Sequence, residues 1–397
     1  MSSLYQLDRF PFGMGIYPSH RTSGTDTVKA AQLARDAGIR WTRDELGWGR
    51  IQPQKGQWCW DHTDHAVTII REHGIEILGL LCYSAPWAAS AKTSEGKPDV
   101  VSMPDLGAWA EYVARTVERY RDRVHVWQMW NEPNGTGFWH PKPDPKEYTR
   151  LLIAGAKAAK QADPSCWVVG CNIAMMDLAF MRVVFEEGGW DHSDIIAIHP
   201  YRYPHGPERT DLLGDMLDVA ALSEEFGGVK PIWITEIGYP THVGPGSSTE
   251  WWSAVMLMRT YLTAWGSGLV QKVFWYDFRD DSENPGYNEA CFGIVRHDWT
   301  PKMPYEGYRT MTACLDGFEP DGRIDLGSDL YLLRFRRGEE RQFVVWTTGA
   351  NVRKPVPAPA QRVKIVKPWT ETVTVDAPNG WVMLNRLDAT PHFLIPA

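Results

Sequence analysis

Along the first three quarters of the chain, short apolar runs alternate with longer stretches whose apolar positions recur every three to four residues. FGMGIY (12–17) precedes the helical pattern TVKAAQLARDAG (27–38), where Gly38 reads as a C-terminal stop. IRWTR (39–43) precedes HAVTIIREHG, with Asp61 or Thr63 placed to cap it. GIEILGLLCY (74–83) precedes AWAEYVARTVERYRD, and VHVWQMW (124–130) precedes KEYTRLLIAGAKAAKQAD. CWVVGC (166–171), IIAIHPY (195–201), PIWITEIG (231–238) and VQKVFWYDF (270–278) are each followed in turn by another helical pattern, the last near 303–314.

The apolar runs are continuous rather than alternating, the pattern of parallel strands covered by helices on the outside. Eight strand–helix pairs over residues 1–316 predict an α/β fold, a (β/α)8 barrel. An open doubly wound sheet would place a Gly-rich phosphate loop after its first strand. GMGIYPSH does not match GxGxxG. From residue 317 the texture changes. DLYLLRFRRGEERQFVVWTTG reads as a hairpin turning at Arg337-Gly338-Glu339, VKIVKPWTETVTV and WVMLNRLDATPHFLI continue the short strands, and the Pro-rich NVRKPVPAPA reads as a loop or edge. Residues 317–397 therefore predict a small antiparallel β-sandwich beside the barrel.

Composition narrows the partners. The 397 residues carry a net charge of −8, which argues against nucleic acid or an anionic membrane as the main partner. No stretch is apolar for long enough to cross a bilayer. The N-terminal MSSLYQLDRFPFG has no basic segment followed by an apolar core, and the cysteines form no CxxC pair. Cys166 and Cys171 would point to opposite faces of a strand, away from a mutual disulfide. A cytoplasmic location is the expectation, with secretion the alternative for a chain trimmed of its leader. The 20 tryptophans suit either core packing or a groove for sugar rings.

In a (β/α)8 barrel, reactive side chains gather where strands end. Arg43 ends the second strand, Asn131 and Glu132 the fourth, His199 and Tyr201 the sixth, Glu236 the seventh and Trp275 the eighth. Two glutamates flanking one pocket can cleave a glycosidic bond, one as proton donor and the other as nucleophile or as the base that activates water. The acid needs a pKa raised by burial or by a neighbouring negative charge, and the nucleophile needs a cation such as Arg43 and a hydroxyl such as Tyr201. Each residue alone has a plainer explanation: Arg43 in a structural ion pair, His199 as a satisfied core histidine, Trp275 as packing. His62 and His65 lie at helical spacing without further ligands and read as a solvated helix start. No metal-ligand set is visible and no cofactor is expected.

With these residues in view, WNEPN (130–134) and WITEIGY (233–239), supported by RWTRDELGWGRIQPQKGQWCWDHTD (40–64), IHPY (198–201) and FWYDF (274–278), make the chain resemble the clan A retaining glycoside hydrolases, most of all family 39, which includes β-xylosidases. The resemblance spans about residues 10 to 316. It implies a retaining β-glycosidase with Glu132 as acid/base and Glu236 as nucleophile, acting on an oligo- or polysaccharide or a glycoconjugate. It further implies that Asn131 binds the sugar 2-hydroxyl, that His199 and Tyr201 orient the carboxylates, that Arg43 steadies the nucleophile, and that Trp275 is the platform under the sugar. Many clan members have a His after the third strand; here LLCYSAPW offers Cys82, Tyr83 and Ser84, which leaves the sugar open. Trp139 and His140 are candidates for the leaving-group side, with Tyr203 and His205, while Asp44 and Glu45 are candidates for hydroxyl contacts. A transglycosylase would use the same glutamates. A non-catalytic carbohydrate-binding barrel would lack one of them, and a metal-dependent hydrolase would show a ligand set. Oligomeric state stays open.

Overall fold

The computed structural model describes residues 4–397. Eight parallel strands close into a barrel in chain order. They are β1 (Phe12–Gly15), β2 (Trp41–Glu45), β3 (Glu76–Leu81), β4 (Val126–Met129), β5 (Trp167–Ala174), β6 (Ile195–His199), β7 (Ile232–Ile237) and β8 (Val270–Trp275). β1 pairs with both β2 and β8, so the sheet is a closed barrel and not the open alternative. Strand residues are buried almost throughout, which explains the continuous apolar runs: one face fills the barrel and the other lies under helices.

Local sequence accounts for the path of the chain. The helix Thr25–Asp36 buries Ala30, Ala31 and Ala34, and Gly38 follows it with φ 81°, the left-handed turn that glycine accepts at no steric cost. The helix Asp61–Glu72 begins after Trp60 with no side-chain cap, so neither Asp61 nor Thr63 plays that part. At the barrel floor, Trp41, Trp233 and Phe274 pack edge to face or tilted, with centroids 5.7–6.5 Å apart. Gly13 makes room there, since a Cβ on it would stand 2.5 Å from the Phe274 ring.

After the helix Met303–Leu315 the chain turns antiparallel. Strands β9 (Glu319–Asp325), β10 (Leu330–Arg337), β11 (Glu340–Thr347), β12 (Val352–Pro357), β13 (Arg362–Val366), β14 (Val373–Asp376), β15 (Trp381–Leu387) and β16 (His392–Pro396) form two sheets. The larger has the order β14-β13-β16-β11-β10-β9, and the smaller pairs β12 with β15. β10 and β11 are the hairpin turning at Gly338, and Pro-rich β12 pairs on one side only, as a strand poor in N–H donors must. Leu330, Leu332, Val345, Val382 and Leu384 form a core between the sheets. The other face of the larger sheet lies on the barrel. There Phe335 stacks on Trp265 at 4.9 Å and Leu333 presses on Gly266. This second covering explains why the helix Glu250–Gly266 is apolar on nearly all sides. Among the described residues no helix is long and apolar enough to cross a membrane, and all six cysteines are free thiols.

Candidate active site

The site is built around Arg43, whose side chain points from β2 into the mouth of the barrel and is 1% exposed. Its Nη1 donates to Glu236 Oε2 (2.7 Å) and to the Tyr17 hydroxyl (2.9 Å), Nη2 to Asn131 Oδ1 (2.7 Å) and Nε to Gln128 Oε1 (3.1 Å). One guanidinium thereby fixes residues from the ends of β1, β4 and β7. Burial works against its charge, but Tyr17 and Glu236 beside it outweigh that and hold its pKa above the ordinary arginine value.

β4 ends at Met129, and the next three residues leave the regular strand path. Trp130 (φ 71°) and Glu132 (φ 45°) both adopt left-handed backbone, which costs a non-glycine residue about 1–3 kcal/mol. In an unbroken strand, consecutive side chains point to opposite faces. The two left-handed residues break that alternation, so that Asn131 and Glu132 both serve the mouth. Asn131 meets Arg43 and donates Nδ2 to the Tyr83 hydroxyl (3.0 Å), while Glu132 meets His199. The turn is held by bonds from Trp130 N to Leu81 O (2.9 Å) and from Glu132 N to Asn172 O (3.1 Å).

The two glutamates have different surroundings. Glu132 is 8% exposed, and burial, partly offset by Arg43, raises its pKa to about 7. Its Oε1 lies 2.8 Å from His199 Nδ1, and His199 Nε2 lies 2.9 Å from the Thr235 hydroxyl. Burial lowers the His199 pKa to about 3, so the imidazole is neutral and has one donor and one acceptor nitrogen. Thr235 can donate to Nε2, which leaves Nδ1–H to donate to Glu132 Oε1 and puts the Glu132 proton on Oε2. Glu236 instead accepts from Arg43 on Oε2 and from the Tyr201 hydroxyl on Oε1 (2.5 Å), so both of its oxygens act as acceptors. Oxygen atoms of Glu132 and Glu236 and a His199 nitrogen all lie within 4.8 Å of one another. Such a trio has the spacing to chelate a cation, but the Arg43 guanidinium already neutralises Glu236 where an ion would sit.

Of the residues expected from the sequence, Arg43, Asn131, Tyr83, Tyr201 and Glu236 are joined by hydrogen bonds, and the Glu132–His199 pair lies against them, with His199 Nδ1 3.8 Å from Glu236 Oε2. Trp275 is not among them. Its ring is 0% exposed and stacks on Tyr239 (5.7 Å) and Tyr261 (6.4 Å) behind the barrel wall. The next residue, Tyr276, takes the inner side. Its hydroxyl accepts from Arg21 Nη2 (2.8 Å), and its ring meets Tyr17 and Tyr201 at 6.1 and 6.5 Å. Trp139 is likewise 0% exposed, wedged against Trp130 and Tyr148, so it has no face for a leaving group. His140 is tied to Asp99 at 2.8 Å and to none of these residues. Asp44 is buried and spent on Ser19, whose N–H and hydroxyl it accepts at 2.8 and 2.7 Å; burial raises its pKa to about 6. Glu45 pairs with His20 (3.3 Å) and lines a cavity of about 280 Å³ with Tyr83. Tyr203 packs on Tyr201 and Phe292, half-buried at the rim, and His205 is exposed. Tyr17, Gln128 and Thr235 were missed. Gln128, an amide inside the apolar VHVWQMW, was the one with a visible signal.

The chain is similar to known proteins in part of its sequence and in its fold. Residues 106–293 match the family model described as the glycosyl hydrolase catalytic core. A family 39 glycoside hydrolase from the gut symbiont Bacteroides cellulosilyticus superposes with TM-score 0.81 at 23% identity, covering 98% of this chain and 81% of that one. A family 39 β-xylosidase from Caulobacter crescentus superposes with TM-score 0.71 at 20% identity, covering 97% and 95%. A β-galactosidase from Halorubrum lacusprofundi is 28% identical over 141 residues, a match that spans 30% of this chain and 20% of that enzyme's length. Residues 106–293 thus resemble a glycosyl hydrolase catalytic core, and the whole chain has a fold like that of family 39 glycoside hydrolases.

Proposed function

We propose that the protein is a retaining β-glycosidase acting on an oligo- or polysaccharide or a glycoconjugate, with Glu132 as acid/base and Glu236 as nucleophile. The observation that carries this reading is the separation of the two carboxylates, whose oxygens come within 4.8 Å. Retaining enzymes hold their carboxyl groups about 5–5.5 Å apart, while inverting ones keep roughly 6.5–9.5 Å to admit a water.

The chemistry follows from the two environments. Glu236, ionised beside Arg43 and Tyr201, attacks the anomeric carbon. The bond to the leaving oxygen breaks as Glu132 passes its proton to that oxygen, and an ester joins the sugar to Glu236. Glu132, now ionised, takes a proton from water, whose oxygen attacks the same carbon and frees Glu236. His199 stays neutral throughout and orients Glu132. The remaining N–H of Asn131 Nδ2 and the Tyr83 hydroxyl serve the sugar hydroxyl next to the anomeric centre, and Tyr276 replaces Trp275 as the ring under the sugar. Residues 317–397 are an accessory domain in this reading.

The test is a panel of aryl β-xylosides, β-galactosides and β-glucosides with wild type, Glu236→Ala and Glu132→Ala. The expected product of the wild type keeps the β configuration by proton NMR at early times. Azide restores turnover to Glu132→Ala and gives a β-glycosyl azide. An α-configured first product rejects the nucleophile assignment. A chelator leaves the activity unchanged, and loss of activity on chelation would favour the metal-dependent alternative.

A further inference from the structure

A cavity of about 330 Å³ opens on the mouth side of the barrel, between the segment after β1 and the loop after β8. Its walls include His20, Arg21, Arg279, Asp281, His297 and Trp299. It lies beside the catalytic set in two ways. Arg21, in its near wall, donates to the hydroxyl of Tyr276, the ring assigned to the sugar platform. His20 is shared with the neighbouring cavity that runs past Glu45 to Tyr83 and so to Asn131. The volume is at the lower end of the range of about 300–1,000 Å³ for small-molecule sites, room for one small ring rather than a chain.

The charge inside is the informative feature. The protein as a whole has a net charge of −8, and most charges around this cavity are paired: Asp280 with Lys302 at 2.7 Å, and Asp281 with Arg21 at 2.9 Å, an arginine that Asp277 also engages. Arg279 has no carboxylate partner among the described residues. Its Nε and Nη2 are held by the carbonyl of His297, at 3.0 and 2.6 Å, which leaves Nη1 without a protein acceptor. His297 engages only its Nδ1, so Nε2 is unused. The Arg279 guanidinium lies 4.0 Å from the Trp299 ring centroid and the Lys29 ammonium 5.2 Å from it, and Trp299 itself is in left-handed backbone with φ 74°. A guanidinium stacked on an indole and anchored through one edge offers the other edge in a fixed direction, the geometry that suits a carboxylate or sulfate.

We infer that this cavity is a second subsite on the non-reducing side of the cleavage point and that it takes an anionic sugar unit, a uronic acid or a sulfated sugar. The inference rests on the glycosidase reading for its placement, though not for the binding of the anion. Arg279 Nη1 and His297 Nε2 contact the acidic group, Trp299 bounds the ring, and the neighbouring sugar lies over Tyr276. The enzyme then prefers substrates with a charged unit one residue beyond the bond it cleaves.

The experiment is calorimetric titration of wild type, Arg279→Gln and Arg279→Lys with β-linked disaccharides ending in glucuronic acid, in a 6-sulfated hexose, or in neutral glucose, with inorganic sulfate and phosphate alongside. Hydrolysis of neutral aryl monoglycosides is followed in parallel. The expected result is that an anionic disaccharide binds wild type at least tenfold more tightly than the neutral one. Arg279→Gln loses that preference, Arg279→Lys keeps part of it, and monoglycoside hydrolysis stays within about twofold. The uronate and sulfate arms decide which acidic group it is. Equal binding of all disaccharides by wild type and Arg279→Gln overturns the proposal. So does inorganic sulfate binding as tightly as the anionic sugar, which would mean an adventitious ion only. If the wild type hydrolyses no glycoside but retains the Arg279-dependent preference, the catalytic reading fails and the anionic-sugar site stands.

Discussion

Two buried Arg–Glu pairs sit in different parts of this molecule, and what separates them is what each carboxylate has left over. At the seam between the barrel and the β-sheets, Glu208 accepts from Arg259 on both oxygens and also from Trp346 Nε1 at 2.7 Å. Both side chains are nearly inaccessible, 4% for Arg259 and 2% for Glu208. At the barrel mouth, Arg43 is equally enclosed, but Glu236 keeps 13% of its side chain open. The seam pair is nearly shut off from solvent and ties the loop after β6 to the helix Glu250–Gly266 and to β11. The mouth pair holds a charged carboxylate in place and leaves it a side from which to react. Residue type and partner are the same, so the chemistry lies in the opening and not in the pair.

The largest expected effect tests the open side. Glu236→Gln keeps the shape of the mouth pair and removes the proposed nucleophile, so kcat/KM falls by about 10⁴-fold or more while the unfolding midpoint in denaturant moves little. The seam should answer in the opposite sense. Glu208→Ala leaves Arg259 buried without its partner and costs about 3–5 kcal/mol of stability, with kcat per folded molecule within about twofold. If Glu208→Ala instead abolished turnover in a fully stable protein, the contrast between the two pairs would collapse.

Acidity sharpens the same contrast. Glu132 holds its proton up to about pH 7, so activity that needs the protonated acid falls as pH rises through about 7. The sign for stability is the same. Its folded pKa lies above the ordinary 4.5, so between those values the unfolded chain ionises and the folded one does not. Folding therefore loses about 3 kcal/mol from this group between pH 4.5 and pH 7.5. Glu132→Gln removes that portion of the pH dependence in denaturant titrations, and an unchanged slope would place the raised acidity elsewhere. The smallest effect concerns two neighbours at the end of β8, Trp275 within it and Tyr276 just after it. Tyr276→Ala raises KM about tenfold, while Trp275→Phe, behind the wall, leaves kinetics unchanged and lowers the unfolding midpoint.

The barrel and the two glutamates were legible because they break strong patterns. Continuous apolar runs have one economical packing, and a carboxylate at the tip of such a run has no structural excuse when a second one shares the rim. What could not be read was direction. Whether Trp275 or Tyr276 faces the mouth depends on where β8 stops, and a one-residue difference reverses the face. Trp139 looked like a rim aromatic because it follows Glu132 closely in sequence, yet the turn through Trp130 and Glu132 folds it back against Tyr148. Asp44 stood beside Arg43 in sequence and on the opposite side of the strand in space. Tyr17 carried no pattern at all, since its role comes from a left-handed residue after β1 that brings its hydroxyl to Arg43.

The central claim is that Glu236, held open at the mouth by Arg43 and Tyr201, forms the bond to the sugar. The most direct measurement is trapping with a 2-deoxy-2-fluoro glycoside of whichever β-sugar the wild type cleaves, followed by proteolysis and mass spectrometry. The account predicts one added fluoro-sugar on the peptide containing Glu236, formed in Glu132→Gln as well when an activated leaving group is used. A label on Glu132, or full turnover of the sugar without any label and with inverted product, would contradict it.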